Sequence, residues 1–252
     1  MKTFVKICVF LFVFIGHTQV PIGKTQTIKK PAALKCVSGN CVDGWGKWEF
    51  ENGYYDGFWE NSKRHGYGLY KWNEFGTYVG FWKDDKIEGY GSYEDTNGKI
   101  FAGMYVNGKL NGFGEEIDKS NNHKAGIYKD HVLITPYDYE LKDVKLGCVT
   151  GNCIDGYGSY VWENGDFFAG FFKNSTPFLG TYQFANLDYY TGMFNEKGQF
   201  HGQGRFFYSD DVDAYYGGEF YNGNFEGKGF YDDYKDKPKI GIWKEGKLIK
   251  PL

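Results

Sequence analysis

The sequence predicts an all-β fold, an elongated single-layer antiparallel sheet of tandem β-hairpin repeats. Aromatic residues make up 21% of the 252-residue chain, with 22 Tyr, 23 Phe and 7 Trp, which leaves few aliphatic side chains for a conventional core. Glycine numbers 37 and recurs in phase: Gly57, Gly80, Gly103 and Gly126 are each 23 residues apart. Gly147, Gly170, Gly192, Gly218 and Gly241 continue the series at intervals of 23, 22, 26 and 23. Between these glycines, aromatic residues alternate with other residues at period two. That alternation marks strands, and a period in the low twenties marks a repeat architecture. A helical protein of this size would need far more Ala and Leu.

Taken from the N-terminus, MKTFVKICVFLFVFIG has Lys2 and Lys6 ahead of an apolar run from Val5 to Ile15. The run is short for a membrane span and fits a secretory signal, so residues 1–20 are expected to be a signal peptide and the mature chain to be exported. Residues 21–34, PIGKTQTIKKPAAL, read as a short basic linker. The repeats then fall into two parts, 35–146 and 147–252, each opening on a paired-cysteine unit. Formal charge is −3 for the whole chain and near −5 without Lys2 and Lys6. No basic stripe interleaves with the aromatics, so nucleic acid is not an expected partner.

Within a unit, an aromatic stands two before the glycine and another two after it. A polar turn and a Gly-x-Gly follow, as in YDGFWENSKRHGYG (55–68), YVGFWKDDKIEGYG (78–91), FAGMYVNGKLNGFG (101–114) and YGGEFYNGNFEGKG (216–229). The polar middle supplies the hairpin turn. A lone hairpin is barely stable, but stacked neighbours bury their aromatics in a continuous column. The pattern closely resembles the MORN repeat family, whose consensus is of the YxGxWxxGxxHGxG kind. The resemblance implies consecutive antiparallel hairpins with aromatics stacked along a groove and glycines leaving room for them. Here the leading aromatics are Tyr55, Tyr78, Phe101, Phe168, Tyr190 and Tyr216. The following ones are Trp59, Trp82, Tyr105, Tyr128, Phe172, Phe194, Phe220 and Trp243. About twenty strands in single file would extend some 95 Å. The fifth unit, with Pro136, and the seventh, with Pro177, depart from the pattern, so register is in question at 126–146 and 170–190 and a bend is expected there.

CVSGNCVDGWG at residues 36–46 returns as CVTGNCIDGYG at 148–158. On the repeat grid Lys35 and Gly147 take the position of Gly57. The cysteines then flank VSGN and VTGN on the two arms of their hairpins. The expected pairs are Cys36–Cys41 and Cys148–Cys153, each closing a six-residue loop; chain entropy gives such a loop about 2 kcal/mol. One zinc shared by all four thiolates would need the sheet to fold back.

Catalytic chemistry has little support in the sequence. His65 and His201 precede a Gly-x-Gly, but the same slot elsewhere holds Asp43, Glu88, Asn111, Asp155 and Glu226, so it reads as a polar repeat position. Motifs for nucleophilic hydrolysis, zinc proteolysis or nucleotide binding do not occur, and neither a catalytic site, a metal nor a cofactor is expected. Asp210, Asp211 and Asp213 read as a solvated acidic loop, and Asn174-Ser175-Thr176 is a possible glycosylation acceptor followed by Pro177. The expected function is non-enzymatic protein–protein interaction or scaffolding outside the cytoplasm: secreted, periplasmic or at the cell surface. Glycan binding through an aromatic ladder is the alternative, and lipid headgroup binding is disfavoured by the acidic charge. Whether the rings face solvent or each other discriminates the first two.

Overall fold

The computed structural model describes residues 35–120, 122–137, 140, 142–209 and 214–252. The signal and linker segments, 1–34, and the acidic run Asp210, Asp211 and Asp213 lie outside the described residues. Those described form twenty strands and no helix. The first ten are β1 (Lys35–Gly39), β2 (Gly44–Phe50), β3 (Gly53–Glu60), β4 (Lys63–Trp72), β5 (Gly76–Lys83), β6 (Lys86–Asp95), β7 (Ile100–Val106), β8 (Lys109–Ile117), β9 (His123–Lys129) and β10 (Val132–Tyr137). The second ten are β11 (Gly147–Gly151), β12 (Gly156–Val161), β13 (Phe167–Lys173), β14 (Thr176–Gln183), β15 (Tyr189–Phe194), β16 (Phe200–Phe207), β17 (Tyr215–Tyr221), β18 (Asn224–Asp232), β19 (Lys239–Lys244) and β20 (Lys247–Pro251). Each set is one antiparallel sheet in which every strand pairs with its sequence neighbours.

The turns explain the pairing. Asn61–Ser62, Asp84–Asp85, Asn107–Gly108, Asp130–His131, Asn174–Ser175, Asn222–Gly223 and Glu245–Gly246 all hold positive φ at both residues. Two consecutive positive φ values define the type I′ turn, whose twist matches that of the flanking strands, and Asn, Asp and Gly tolerate it best. Register follows from the glycines. Gly39, Gly46, Gly57, Gly68, Gly80, Gly91, Gly103, Gly114 and Gly126 pair successively across the first sheet. Gly151, Gly158, Gly170, Gly180, Gly192, Gly204, Gly218, Gly229 and Gly241 do so across the second.

Both ladders end on a proline in an edge strand: Pro136 opposite Gly126 and Pro251 opposite Gly241. Proline cannot donate to a further strand, so it suits a sheet edge. Pro136 therefore closes a sheet where the sequence suggested a damaged unit. The first sheet ends with β10 at Tyr137 and the second begins with β11 at Gly147. The chain does not turn at 170–190, where β13 and β14 pair from Phe167 to Lys173 with one bulge and Pro177 is accommodated.

The expected single file of about 95 Å is replaced by two files of about 45 Å each, and these pack face to face. One shared core gathers Phe58, Tyr67, Phe81 and Trp45 of the first sheet with Phe230, Tyr215 and Ile240 of the second. Another joins Tyr90, Phe113 and Ala125 to Tyr157, Phe171 and Leu179. Trp45 stacks on Phe230 at 4.6 Å, and Phe113 lies 5.1 Å from Phe171. Polar groups cross the seam in pairs: Tyr90 Oη meets Thr191 Oγ1 at 2.7 Å, the Tyr90 amide donates to Gln203 Oε1 at 2.7 Å, and Tyr157 Oη donates to Glu115 Oε2 at 2.6 Å. These residues occupy the unspecified positions of the repeat pattern. A strand alternates its side chains between two faces, so a repeat with aromatics at both parities must bury both.

Phe58→Ala and Phe171→Ala, on the shared face, are expected to cost about 3–5 kcal/mol each, as much as truncating a ring on the opposite face. Denaturant unfolding checks this; a loss under 1 kcal/mol, expected of a ring on an uncovered face, contradicts the packing.

Candidate interaction surface

On the face of each sheet turned away from the other, the leading tyrosine of a hairpin lies across a glycine pair. A methyl group built on Gly68 would sit 2.4 Å from Tyr55 Oη, and one on Gly91 would sit 2.2 Å from Tyr78 Oη. Gly204 and Gly229 stand in the same relation to Tyr190 and Tyr216, at 2.4 and 2.1 Å. The hydroxyls then donate to the carbonyl three residues on: Tyr55 to Phe58 (2.9 Å), Tyr78 to Phe81 (3.2 Å), Tyr190 to Met193 (2.7 Å) and Tyr216 to Glu219 (3.1 Å). The following aromatic meets the tyrosine edge-on, as with Trp59 on Tyr55 at 5.2 Å and Trp82 on Tyr78 at 5.5 Å. Trp59 and Trp243 donate their indole N–H to Gly46 and Gly229 carbonyls.

The column is closed to solvent. Tyr55, Tyr78, Phe168, Tyr190 and Tyr216 have no exposed surface, and Trp59, Trp82, Tyr105, Tyr128, Phe172, Phe194, Phe220 and Trp243 keep at most 6%. Phe101 differs: it is only half-buried, and Leu110, fully buried, fills the space over Gly103 and Gly114 in its place.

Cys36 is joined to Cys41 and Cys148 to Cys153, with Cα separations of 6.0 and 5.8 Å. The array does fold back, yet each bridge closes within its own hairpin. The ladder glycines of these units are Gly39 and Gly151, so Lys35 and Gly147 do not hold the position of Gly57. The stretches VSG and VTG are strand, and Cys41 and Cys153 sit in the turns that follow. Their sulfurs lie over Gly46 and Gly158, 2.7 and 3.1 Å from where a methyl would be. The cystine thus fills the place that a tyrosine ring fills in later hairpins and ends each column.

The polar slot before Gly-x-Gly has a structural task. Asp43, Glu88, Asp155 and Glu226 accept the turn amides of Asn61, Asn107, Asn174 and Glu245 at 2.8–3.2 Å, tying the turn end of each hairpin to the turn of the next. His65 occupies the same slot beside Glu60 at 3.7 Å. Among the described residues no cluster of three or more His, Cys, Asp or Glu is placed to hold a metal ion.

Outside the buried column runs a second, half-exposed row of rings. Single-sequence reading missed it because its members stand between the repeat positions, where period-two alternation alone marks them. On the second sheet Trp162 neighbours Tyr182 at 5.3 Å, Tyr182 neighbours Phe184 at 5.0 Å, and Phe184 neighbours Phe206 at 6.0 Å. Two adjoining shallow clefts open along this row. One is lined by Asp166, Phe184, Asn186, Asp188 and Phe206, the other by Leu146, Trp162, Glu163 and Tyr182, and Asn164 borders both. Burial opposes ionisation of Asp166, but hydrogen bonds from Tyr182 Oη, Asn164 Nδ2 and the Ala185 amide hold its carboxyl below the usual range.

A family model for the MORN repeat matches residues 55–76, 78–100, 101–123, 152–167, 190–211 and 216–235, half of the chain. The chain belongs to the MORN repeat family. No curated protein matches it. MORN repeats are generally associated with protein or membrane-lipid binding and are typically non-enzymatic. The two cysteine-bearing hairpins at 35–50 and 147–161 are covered only from residue 152, where cystine sulfur replaces the MORN tyrosine.

Burial pushes the hydroxyls of Tyr55, Tyr78 and Tyr190 well above their ordinary value of 10.0, and that of Tyr128 to about 12. In the unfolded chain these groups ionise near pH 10. Above that pH the unfolded state therefore binds fewer protons than the folded one, and stability falls as pH rises. Unfolding curves between pH 8 and 11, roughly spanning that unfolded value, are expected to show stability unchanged at first and declining past about pH 10. A flat profile contradicts the buried column.

Proposed function

We propose that this protein is a non-enzymatic binding module that engages another protein outside the cytoplasm. The observation that carries the reading is the closure of the aromatic column. With rings edge-on to one another, hydroxyls bonded to backbone carbonyls and faces covered, the leading tyrosines and following tryptophans have no platform to offer a sugar. They hold a rigid sheet, and recognition falls to the half-exposed row and the turns beside it. Face-to-face packing of the shared sides supports the same reading, because it leaves both aromatic columns on the outward faces. The acidic balance speaks against anionic lipid headgroups.

Export rests on two supports: the Lys2, Lys6 and Val5–Ile15 pattern in the sequence, and two disulfides, which persist in oxidising compartments. Each bridge is expected to add about 2 kcal/mol by constraining the unfolded chain. Non-reducing peptide mapping of the secreted protein is expected to recover the Cys36–Cys41 and Cys148–Cys153 pairs and a mature chain starting near residue 20. Free thiols or a chain starting at Met1 contradict export.

The binding reading is tested by pairing melting temperature with binding for two variants. Trp59→Ala, in the column, is expected to lower the melting temperature and to weaken binding only through unfolding. Trp162→Ala, in the outer row, is expected to weaken protein binding while the fold stays intact. Loss of oligosaccharide binding by Trp59→Ala at an unchanged melting temperature contradicts the proposal and favours a glycan ladder.

A further inference from the structure

The outward faces of the two sheets differ at the position two residues before the first glycine of Gly-x-Gly. In the first, Arg64 lies over the ladder: its guanidinium is 4.5 Å from the Trp82 ring, 5.5 Å from Tyr70 and 5.7 Å from Phe50. Asp85 anchors it, with Nε donating to Oδ1 at 3.0 Å and Nη2 to the backbone carbonyl at 2.8 Å. The first sheet therefore supplies its own cation, seated on ring faces and held by a carboxylate. Arg64 stands two residues before Gly66. The matching positions before Gly202 and Gly227 are Phe200 and Phe225, which stack on Tyr190 and Tyr216 at 4.0 and 3.8 Å. The second sheet thus has more aromatic surface and no cation at these positions. Its half-exposed row carries carboxylates instead: Asp166 and Asp188 beside Phe184 and Phe206, and exposed Glu163 beside Trp162.

Ring faces and carboxylates in one cleft attract a guanidinium or ammonium group through the ring quadrupole and the local negative charge. We propose that these two adjoining clefts on the second sheet together dock an arginine- or lysine-bearing segment of a partner protein. The cationic side chain sits on Phe184 and Phe206 beside Asp166 and Asp188, and an apolar neighbour rests on Trp162 and Leu146. The proposal names the partner's chemistry within the protein-binding reading above and rests on it. A sugar fits the cleft less well. Asp166 already accepts from Ala185, Tyr182 and Asn164, Asp188 accepts from Asn186 and Ser209, and the Asn164 and Asn186 amides are spent on these carboxylates. That leaves charge and ring surface, which a cation uses, in place of the unspent donor–acceptor pairs that sugar hydroxyls need. An anionic surface would be repelled.

The test is fluorescence anisotropy with a labelled peptide of alternating arginine and leucine, its glutamate-for-arginine counterpart, and a set of neutral oligosaccharides. The full mature protein is used, with melting temperature recorded for every variant. The wild-type protein is expected to bind the arginine peptide and not the glutamate one. Glu163→Lys is expected to weaken binding about tenfold, and Phe184→Leu, which keeps apolar volume but removes the ring, by a similar factor, about that of one cation–ring or ion pair. Glu74→Lys, the same charge change in an exposed turn of the first sheet, is expected to shift affinity by less than about twofold. Equal weakening by Glu163→Lys and Glu74→Lys overturns the site, as does unchanged binding by a folded Phe184→Leu protein. Binding of the glutamate peptide alone overturns the charge assignment while leaving a protein-binding module in place. Binding of oligosaccharides alone overturns both.

Discussion

A phenol ring laid across two glycines on neighbouring strands is the contact on which the rest of this structure depends. Tyr55 over Gly57 and Gly68, Tyr78 over Gly80 and Gly91, Tyr190 over Gly192 and Gly204, and Tyr216 over Gly218 and Gly229 repeat it along both sheets. Each ring is close enough that any Cβ beneath it would overlap it, and each hydroxyl reaches a carbonyl three residues on. That bond fixes the ring's tilt, which sets where the next tryptophan or phenylalanine meets it edge-on. The glycine ladder is therefore a sterically required row, and its continuity keeps ten strands in one register. Where the tyrosine is missing, something of similar bulk takes its place: Phe168, Leu110, or the cystine sulfur of the first hairpin.

A sheet built this way has a second face to bury. Strand alternation turns Phe58, Phe81 and Phe171 away from the column, and the residue inside Gly-x-Gly adds Tyr67, Tyr90 and Tyr157 to the same side. Two sheets with such faces satisfy each other, and prolines at the far edges of both stop further pairing. The consequence for function is a division of labour. The column and the shared face hold the fold, and the outer row of half-exposed rings with its Asn- and Asp-rich turns is the part of the outward face left open to solvent.

Most of the fold was legible because the contact that builds it is periodic. Glycine at intervals near 23, aromatics two before and two after, and Asn- or Asp-bearing turns required nothing beyond one chain to be read as tandem hairpins. The cysteine pairing was legible from spacing alone, although its frame was off by four residues: Gly39 and Gly151, which lie inside VSGN and VTGN, carry the ladder. The packing of the two sheets was hidden because its residues fell at positions the repeat leaves unspecified. Phe58, Phe81, Tyr67 and Tyr90 at those positions were the available signal. Phe101 fitted the pattern and still left the column, since Leu110 on the adjacent strand reached the glycines first. The clefts beside Asp166 and Asp188 depend on which rings stay half-exposed, a property of neighbours that no local motif encodes.

The central claim, that the glycines exist to admit the tyrosine rings, is tested most directly by a double-mutant cycle on Gly91 and Tyr78. The backbone at Gly91 is one that alanine can adopt, and the three atoms nearest to its missing Cβ all belong to Tyr78. Gly91→Ala alone is expected to lower stability by about 1–3 kcal/mol through overpacking. In a Tyr78→Ala background, where the ring is gone, the same change is expected to be nearly neutral, giving a coupling of about 1 kcal/mol or more. Additive losses would contradict the account, since they would mean that glycine is needed there for a reason other than the ring.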